Sequence, residues 1–166
     1  MSKEFSFTTE LEYSVADVHA ALTSEEYWKG RVADGENSAV ELDVPAGPGT
    51  LRAVMTDRTE PSALPAVVRG ILRGPLEMQR TDSWGALAGD RAEGTLSGGA
   101  NGLPIEIAAT SLLRAGDTGG SVIELNGTVT VKVPVVGGQI EGLLLQMVEN
   151  IVNVDKKVLE HWLSNR

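Results

Sequence analysis

Residues 4–13 alternate: Phe5, Phe7, Thr9, Leu11 and Tyr13 fall on one side, Glu4, Ser6, Thr8, Glu10 and Glu12 on the other. A period of two predicts a half-buried strand. Ser14 breaks the pattern, and Ser14-Val15-Ala16-Asp17 reads as a helix N-cap with an acid three residues on. Val15, Val18 and Leu22 then follow at helical spacing. Thr23-Ser24-Glu25-Glu26 repeats the start signal, which predicts a second short helix carrying Tyr27 and Trp28, with Gly30 and Gly35 closing the region.

Alternation returns with Val40, Leu42 and Val44, turns at Gly47-Pro48-Gly49, and resumes with Leu51, Ala53 and Met55 until Pro61. Between 64 and 72 the period changes. Leu64, Val67, Val68, Ile71 and Leu72 match the i, i+3, i+4, i+7, i+8 template, with Pro65 suited to the first turn and Gly74 to the exit. Gly70 weakens this short helix by about 1 kcal/mol relative to alanine.

Strands are predicted again at 76–84 and 91–97, followed by a turn-rich connection, Ser97-Gly98-Gly99-Ala100-Asn101-Gly102. Leu103, Ile105, Ile107, Ala109 and Leu113 share a face of the next strand. Gly116-Asp117-Thr118-Gly119-Gly120 marks a hairpin. Ile123, Leu125, Val129, Val131 and Val133 form the apolar face of the last strand. After Pro134 and Gly137-Gly138, residues 139–164 read as one helix. Ile140, Leu144, Met147, Ile151, Val154, Val158 and Trp162 make its stripe, and Leu143, Val148, Val152, Leu159 and Leu163 widen it. The expected architecture is α+β: strand, helix pair, two strands, short helix, four strands, long helix. Consecutive turn-linked strands pair antiparallel, and their apolar face needs the long helix as its cover. No linker or repeat divides the chain, so one domain over 1–166 is expected.

Composition narrows the function classes. There are 23 acidic against 14 basic residues, a net charge of -9, which argues against binding a nucleic-acid backbone. Cysteine is absent, which removes disulfides, thiolate catalysis and thiolate-held metals. His19 and His161 are the two imidazoles, far apart and without zinc-ligand spacing, so no metal site is expected. Ser97 sits in Gly94-Thr95-Leu96-Ser97-Gly98-Gly99, which is not a nucleophile elbow. Gly47-Pro48-Gly49 opens no helix and is no phosphate loop. No apolar run reaches membrane-spanning length and the first residues lack a signal-peptide core, so a cytoplasmic chain without stable membrane insertion is expected.

Two features carry a resemblance. One is the element order. The other is the strand Val129–Val133, followed by Pro134-Val135-Val136-Gly137-Gly138-Gln139-Ile140-Glu141 and a helix ending at His161-Trp162-Leu163. Together they resemble the helix-grip fold of the START/SRPBCC superfamily, the polyketide-cyclase and lipid-transfer-like group. Within it the chain looks most like an uncharacterised actinobacterial family of unknown function. The same stretch has a physical reading: proline ends the strand, glycines allow the corner, and Glu141 falls in the first helical turn, where the dipole favours an anion.

The resemblance implies a curved antiparallel sheet wrapped around the C-terminal helix, with a cavity between them for a small hydrophobic or amphipathic ligand, lipid- or polyketide-like. The composition bears on this, because only 4% of residues are aromatic and 19 are glycine. Bulky fillers are scarce, and curvature needs glycine.

The residues expected to line the cavity are Met55, Met78, Arg80, Asp82, Trp84 and Ile107 from strands, Val67, Val68 and Ile71 from the short helix, as a lid over the cavity mouth or as a permanent plug, and Leu144, Met147 and Ile151 from the long helix. Arg80 and Asp82 share the parity of Leu76, Met78 and Trp84, so alternation points both inward. Asp57 shares the parity of Met55 by the same rule. Arg69 and Arg73 on the lid's polar side are candidates to meet an anionic head group.

No catalytic residue, cofactor or metal is assigned. The rival readings are an enzyme of cyclase, dehydratase or hydrolase type using Arg80, Asp82 or Asp57 as its player, and a protein-interaction module with an exposed apolar patch. Either a monomer or a homodimer is compatible.

Overall fold

A computed structural model of the chain describes residues 2–32, 38–60, 62, 64–72, 74–117 and 119–165. Gly35, Pro61, Arg73 and Thr118, to which the sequence assigns end, turn or head-group roles, lie outside the described residues. The elements run β1 (Ser2–Leu11), α1 (Val15–Leu22), α2 (Glu25–Val32), β2 (Ser38–Asp43), β3 (Leu51–Thr59), α3 (Ala66–Arg69), β4 (Leu76–Trp84), β5 (Arg91–Asn101), β6 (Ile105–Ala115), β7 (Ser121–Val131) and α4 (Gly137–Ser164). The strands form one antiparallel sheet in the order β1-β7-β6-β5-β4-β3-β2. This is the expected helix-grip arrangement: a sheet whose concave face holds the long helix.

The local signals act as read. Ser14 caps α1, its Oγ accepting from the Asp17 backbone N–H at 3.1 Å. Ser24 Oγ accepts from the Tyr27 N–H at 3.4 Å at the start of α2. Gly47 and Gly49 both take positive φ, as the turn between β2 and β3 requires.

Five expectations need correction. The run Ser97–Asn101 is strand, not turn: Gly98 pairs with Arg80 on one side and Ile107 on the other. Two neighbouring strands supply the hydrogen bonds that composition alone assigned to a loop, and the real turn begins at Gly102, φ 93°. The short helix shrinks to Ala66–Arg69, with Pro65 at its N-cap and Gly70 at its C-cap. Gly30 does not stop α2, which continues to Val32.

Val154 is 52% exposed and leaves the stripe of α4. At about 100° per residue it sits a quarter-turn away from Asp155, which takes the inward position instead. Glu141 does not serve the helix dipole, because α4 starts at Gly137. Its fully buried carboxylate turns to the sheet, and Oε2 accepts from the Val131 N–H at 2.9 Å. With Lys3 Nζ donating to the Gly138 carbonyl at 2.9 Å, this ties the start of α4 to β7 and β1.

The apolar interior forms two clusters. One gathers Phe5, Leu96, Ile107, Leu125 and Val129 with Ile140, Leu144 and Val148 of α4, and Val68 of α3 closes its edge. The other gathers Leu11, Val18, Leu22, Tyr27, Trp28, Leu51, Trp84 and Leu113 with Leu159 and Leu163. α4 packs most closely on β1, β7 and α1. Its middle therefore stands off from β3, β4 and β5.

Gly127 shows how the sheet bends on the packed side. It lies opposite Phe5 and Ala109, and a Cβ there would collide with the Ala108 carbonyl and the Ala109 side chain. Gly98 is different: a Cβ would find its nearest neighbours at 3.5–3.6 Å, ordinary contact.

Gly127→Ala should therefore lower the unfolding free energy by about 1–3 kcal/mol. Gly98→Ala should be neutral or stabilising by up to about 1 kcal/mol. Urea denaturation of the two variants checks the contrast. Glu141→Leu, which leaves the Val131 N–H buried and unpaired, should destabilise by about 1–3 kcal/mol in the same assay. Glu141→Gln, whose amide oxygen still accepts, should lose less.

Candidate functional site

The gap between α4 and the β3–β5 side of the sheet is a cavity of about 370 Å³. Met55 of β3, Met78 of β4 and Met147 of α4 line it, and these are all the methionines among the described residues. Gly98 and Gly99 of β5 form part of its floor, with Leu96, Ile107, Val148 and Ile151 beside them. None of the chain's aromatic rings borders it. All seven aromatics instead belong to the two packed clusters, and Phe5 and Phe7 stack at 5.8 Å between centroids. The aromatic shortage has a place as well as a number: it falls where the interior is hollow.

At one end of the cavity four charged side chains meet. Arg80 and Asp82 point inward from β4, as alternation requires. Asp155 reaches them from α4 and Arg31 from α2. Arg80 Nη2 donates to Asp155 Oδ2 at 2.7 Å and to Asp82 Oδ1 at 3.2 Å, while Nη1 donates to Asp155 Oδ1 at 3.2 Å. Arg80 Nε lies 2.8 Å from Asp82 Oδ2 as an ion pair, but bent out of line, so neither atom gains a hydrogen bond from the contact. Arg31 Nη2 donates to Asp155 Oδ1 at 2.6 Å. The Arg31 guanidinium also lies 5.5 Å from the centre of the Trp28 ring and 6.0 Å from that of Tyr27. Behind the cluster is a chamber of about 70 Å³, bordered by Asp82, Asp155, Tyr27, Thr9 and Ser111.

Burial and charge push the two acids in opposite directions. Burial raises Asp82 above the usual carboxylate range, and Arg80 offsets this only in part. Burial also acts on Asp155, but the Arg80 and Arg31 guanidinium groups outweigh it and hold Asp155 below that range. For Arg80, burial opposes the charge, yet Asp82 and Asp155 together raise it above its ordinary value.

The structure brings Met55, Met78, Arg80, Ile107, Met147 and Ile151 together around the large cavity, and Asp82 and Trp84 around the small chamber. Leu144 lies in the core cluster beside Val68, and Val67 and Ile71 pack on that cluster's edge. These four do not border either space.

Asp57 sits at the exposed rim, where Ser38 Oγ donates to its Oδ1 at 3.0 Å. Arg69 is exposed. His19 is buried and donates from Nε2 to the Gly85 carbonyl at 2.9 Å, a satisfied core histidine. His161 is exposed in the last turn of α4. The large exposed apolar residues Val44, Leu87, Val135 and Val154 lie in separate parts of the chain.

Asp155 and Arg31 are not among the residues that the sequence pattern assigns to the site. Asp155 carries a usable signal: it lies four residues after Ile151 and four before Leu159, a charge inside an apolar stripe. Arg31 carries a weaker one, at i+3 and i+4 from Trp28 and Tyr27.

A family model described as "Protein of unknown function (DUF2505)" matches residues 6–163, and the chain belongs to that family. An uncharacterized protein of Mycobacterium tuberculosis is 27% identical over 172 residues, covering 99% of both chains, and one of Mycobacterium bovis matches equally.

Among solved structures, the chain resembles the di-domain ARO/CYC StfQ from the steffimycin biosynthetic pathway at a TM-score of 0.64 and 14% identity, covering 100% of this chain and 52% of that one. It resembles the Zhui aromatase/cyclase from Streptomyces sp. R1128 at 0.60 and 10%, covering 100% and 96%. It resembles Ara h 8.0201 at 0.59 and 16%, covering 100% of each chain. These likenesses are of fold.

The opposed acids give a stability test. Asp155→Asn, which takes the carboxylate from Arg31 and one of two carboxylates from Arg80, should destabilise by about 3–5 kcal/mol, and Asp82→Asn by clearly less. With a raised pKa, the folded protein holds the Asp82 proton at a pH where the unfolded chain, at about 3.9, has released it. Wild-type stability relative to Asp82→Asn should therefore grow as pH falls from neutral through the raised value, levelling off below about 3.9. Urea titrations across pH read the sign, and a difference that shrinks on acidification would contradict it.

Proposed function

We propose that this member of the DUF2505 family binds a small hydrophobic or amphipathic molecule, lipid- or polyketide-like, in the cavity between the sheet and α4. The supporting observation is the make-up of that cavity. A space of about 370 Å³ falls within the usual range for small-molecule sites, roughly 300–1,000 Å³. Its walls combine three methionines, whose flexible thioethers adapt to different ligand shapes, with a glycine floor that a single side chain would fill. Among the neighbours in fold, Zhui is described as an aromatase/cyclase and StfQ as a di-domain ARO/CYC from a biosynthetic pathway, which supports a polyketide-like occupant.

In this reading the chain works as one cytoplasmic domain over 1–166, monomeric or homodimeric. Its net charge of -9 disfavours nucleic acid as a partner. No helix among the described residues is long and apolar enough to cross a membrane.

A second reading, catalysis on the bound molecule, has one observation in its favour. Asp82 and Asp155 are pushed apart in acidity, the pattern that separates an acid from a base in enzyme sites. Asp82 borders the inner chamber rather than the large cavity, so reaction requires the substrate to reach past Arg80.

The binding test is solvent extraction and native mass spectrometry of the purified chain, paired with Gly98→Leu. The wild type should carry or take up apolar small molecules. Gly98→Leu should weaken uptake at least about tenfold, and Gly98→Ala, whose Cβ meets only ordinary contacts, should not lower the denaturation midpoint. Absence of any recovered or bound molecule, or uptake untouched by Gly98→Leu, would sink the reading. Conversion of the retained molecule with time, lost in Asp82→Asn without loss of retention, would establish the enzymatic reading instead.

A further inference from the structure

The polar wall of the large cavity is one-sided. Of the four charged groups in the cluster, Arg31 and Arg80 border the cavity, whereas Asp82 and Asp155 border only the inner chamber. Their hydrogen bonds sharpen this asymmetry. A guanidinium has five N–H groups. Arg80 directs its nitrogens at Asp82 and Asp155. Arg31 uses only two N–H groups, one to Asp155 at 2.6 Å and one to the Tyr27 hydroxyl at 3.4 Å. Its Nε and its remaining N–H groups have no partner among the described residues.

The acceptors, by contrast, are turned away from the cavity. Both Asp155 oxygens accept, taking three hydrogen bonds between them. Asp82 Oδ1 accepts from Arg80, and Oδ2 is shut against Arg80 Nε. The cluster therefore offers the cavity donors and keeps its acceptors to itself.

The donors are also held still. The Arg31 side chain is 11% exposed, lies against the Trp28 and Tyr27 rings, and is pinned by Asp155. A planar donor fork fixed in this way loses little freedom when it meets an acceptor. The one carboxylate among the described residues of the cavity wall, Asp57, is at the rim, exposed to water and already bonded by Ser38. Screening there leaves it little hold on a cation.

We propose that the molecule this cavity takes ends in a hydrogen-bond acceptor, a carbonyl, enolate or carboxylate oxygen. Arg31, seconded by Arg80, receives that oxygen, while the apolar remainder lies along Met55, Met78 and Met147. This rests on the ligand-binding reading above and narrows its ligand class. A molecule without such an oxygen would cover the arginine N–H groups without replacing their water. A polar site rejects that kind of analogue more strongly than an apolar pocket rejects a missing methyl group. An ammonium head would add repulsion by two guanidinium groups.

Four probes of one size separate the possibilities: 2-acetonaphthone, 2-naphthoate, 2-ethylnaphthalene and 2-naphthylmethylammonium, titrated calorimetrically into the full chain. The ketone and the carboxylate should bind about tenfold or more tighter than ethylnaphthalene, with the ammonium weakest. Arg31→Met keeps an unbranched stem over Trp28 and leaves Asp155 its pairing with Arg80. It should collapse the preference, with the ratio of affinities as the readout rather than their absolute size.

Equal binding of headed and headless probes, preference for the ammonium, or a ratio unchanged in Arg31→Met would overturn the acceptor-head assignment while leaving the cavity a ligand site. Failure of all four probes to bind the wild type would remove the ligand-binding reading itself, and this inference with it.

Discussion

The Arg80–Asp155 pair is the interaction on which the arrangement turns. A charge taken out of water must be matched by a partner with good geometry, or the structure loses several kcal/mol. Arg80 sits on the inward face of β4 with Asp82 two residues away, which satisfies part of its fork. Asp155 supplies the rest from the middle of α4. α4 is free to slide or roll over a smooth apolar sheet, but not over a sheet that presents a guanidinium. The same carboxylate draws in Arg31 and with it α2. One acid thus ties together the sheet, the long helix and the helix pair, at the seam between two apolar clusters that do not merge.

That seam explains why the interior is hollow where it is. Toward β1 and β7, α4 is drawn close by Glu141 on the Val131 N–H and by Lys3 on the Gly138 carbonyl, and Phe5 fills the bend over Gly127. Toward β3–β5 the tie is the Arg80–Asp155 pair, whose side chains span the gap and hold the helix middle off the sheet. The chain's rings are concentrated at the packed ends, Tyr27, Trp28 and Trp162 in edge contact at one of them. The facing side chains over the gap are methionine, isoleucine and glycine. Packing rigidity and ligand adaptability are separated along the axis of a single helix.

Much of this was legible in the residues. Period-two alternation located every strand, and Ser14 located the first helix start. The long apolar stripe announced the helix that covers the sheet. Parity placed Arg80 and Asp82 inward because a strand's side chains have only two directions. The errors share a cause. Ser97–Asn101 read as a turn because glycine is ambiguous between a bend and a close backbone approach, and only its two neighbouring strands resolve that. The apolar run at 64–72 left a lid and a plug open, because the two have the same composition, and Val68 is buried at the core's edge.

Local pattern sets the order of elements, the faces of the strands, and the shortage of bulky side chains that leaves an interior unfilled. Each of these is a local property, set by periodicity within ten or so residues or by composition. Only the folded arrangement collects the unfilled volume beside Met55, Met78 and Met147, closes Asp155 on Arg80, and leaves Arg31 facing the cavity with N–H groups that no described residue takes. Those facts join residues as far apart as Arg31 and Asp155, 124 positions along the chain. No local pattern encodes such a pairing: it exists only once the sheet has curved and a helix has been laid across it, because burial is what makes a stray charge intolerable and a partner obligatory.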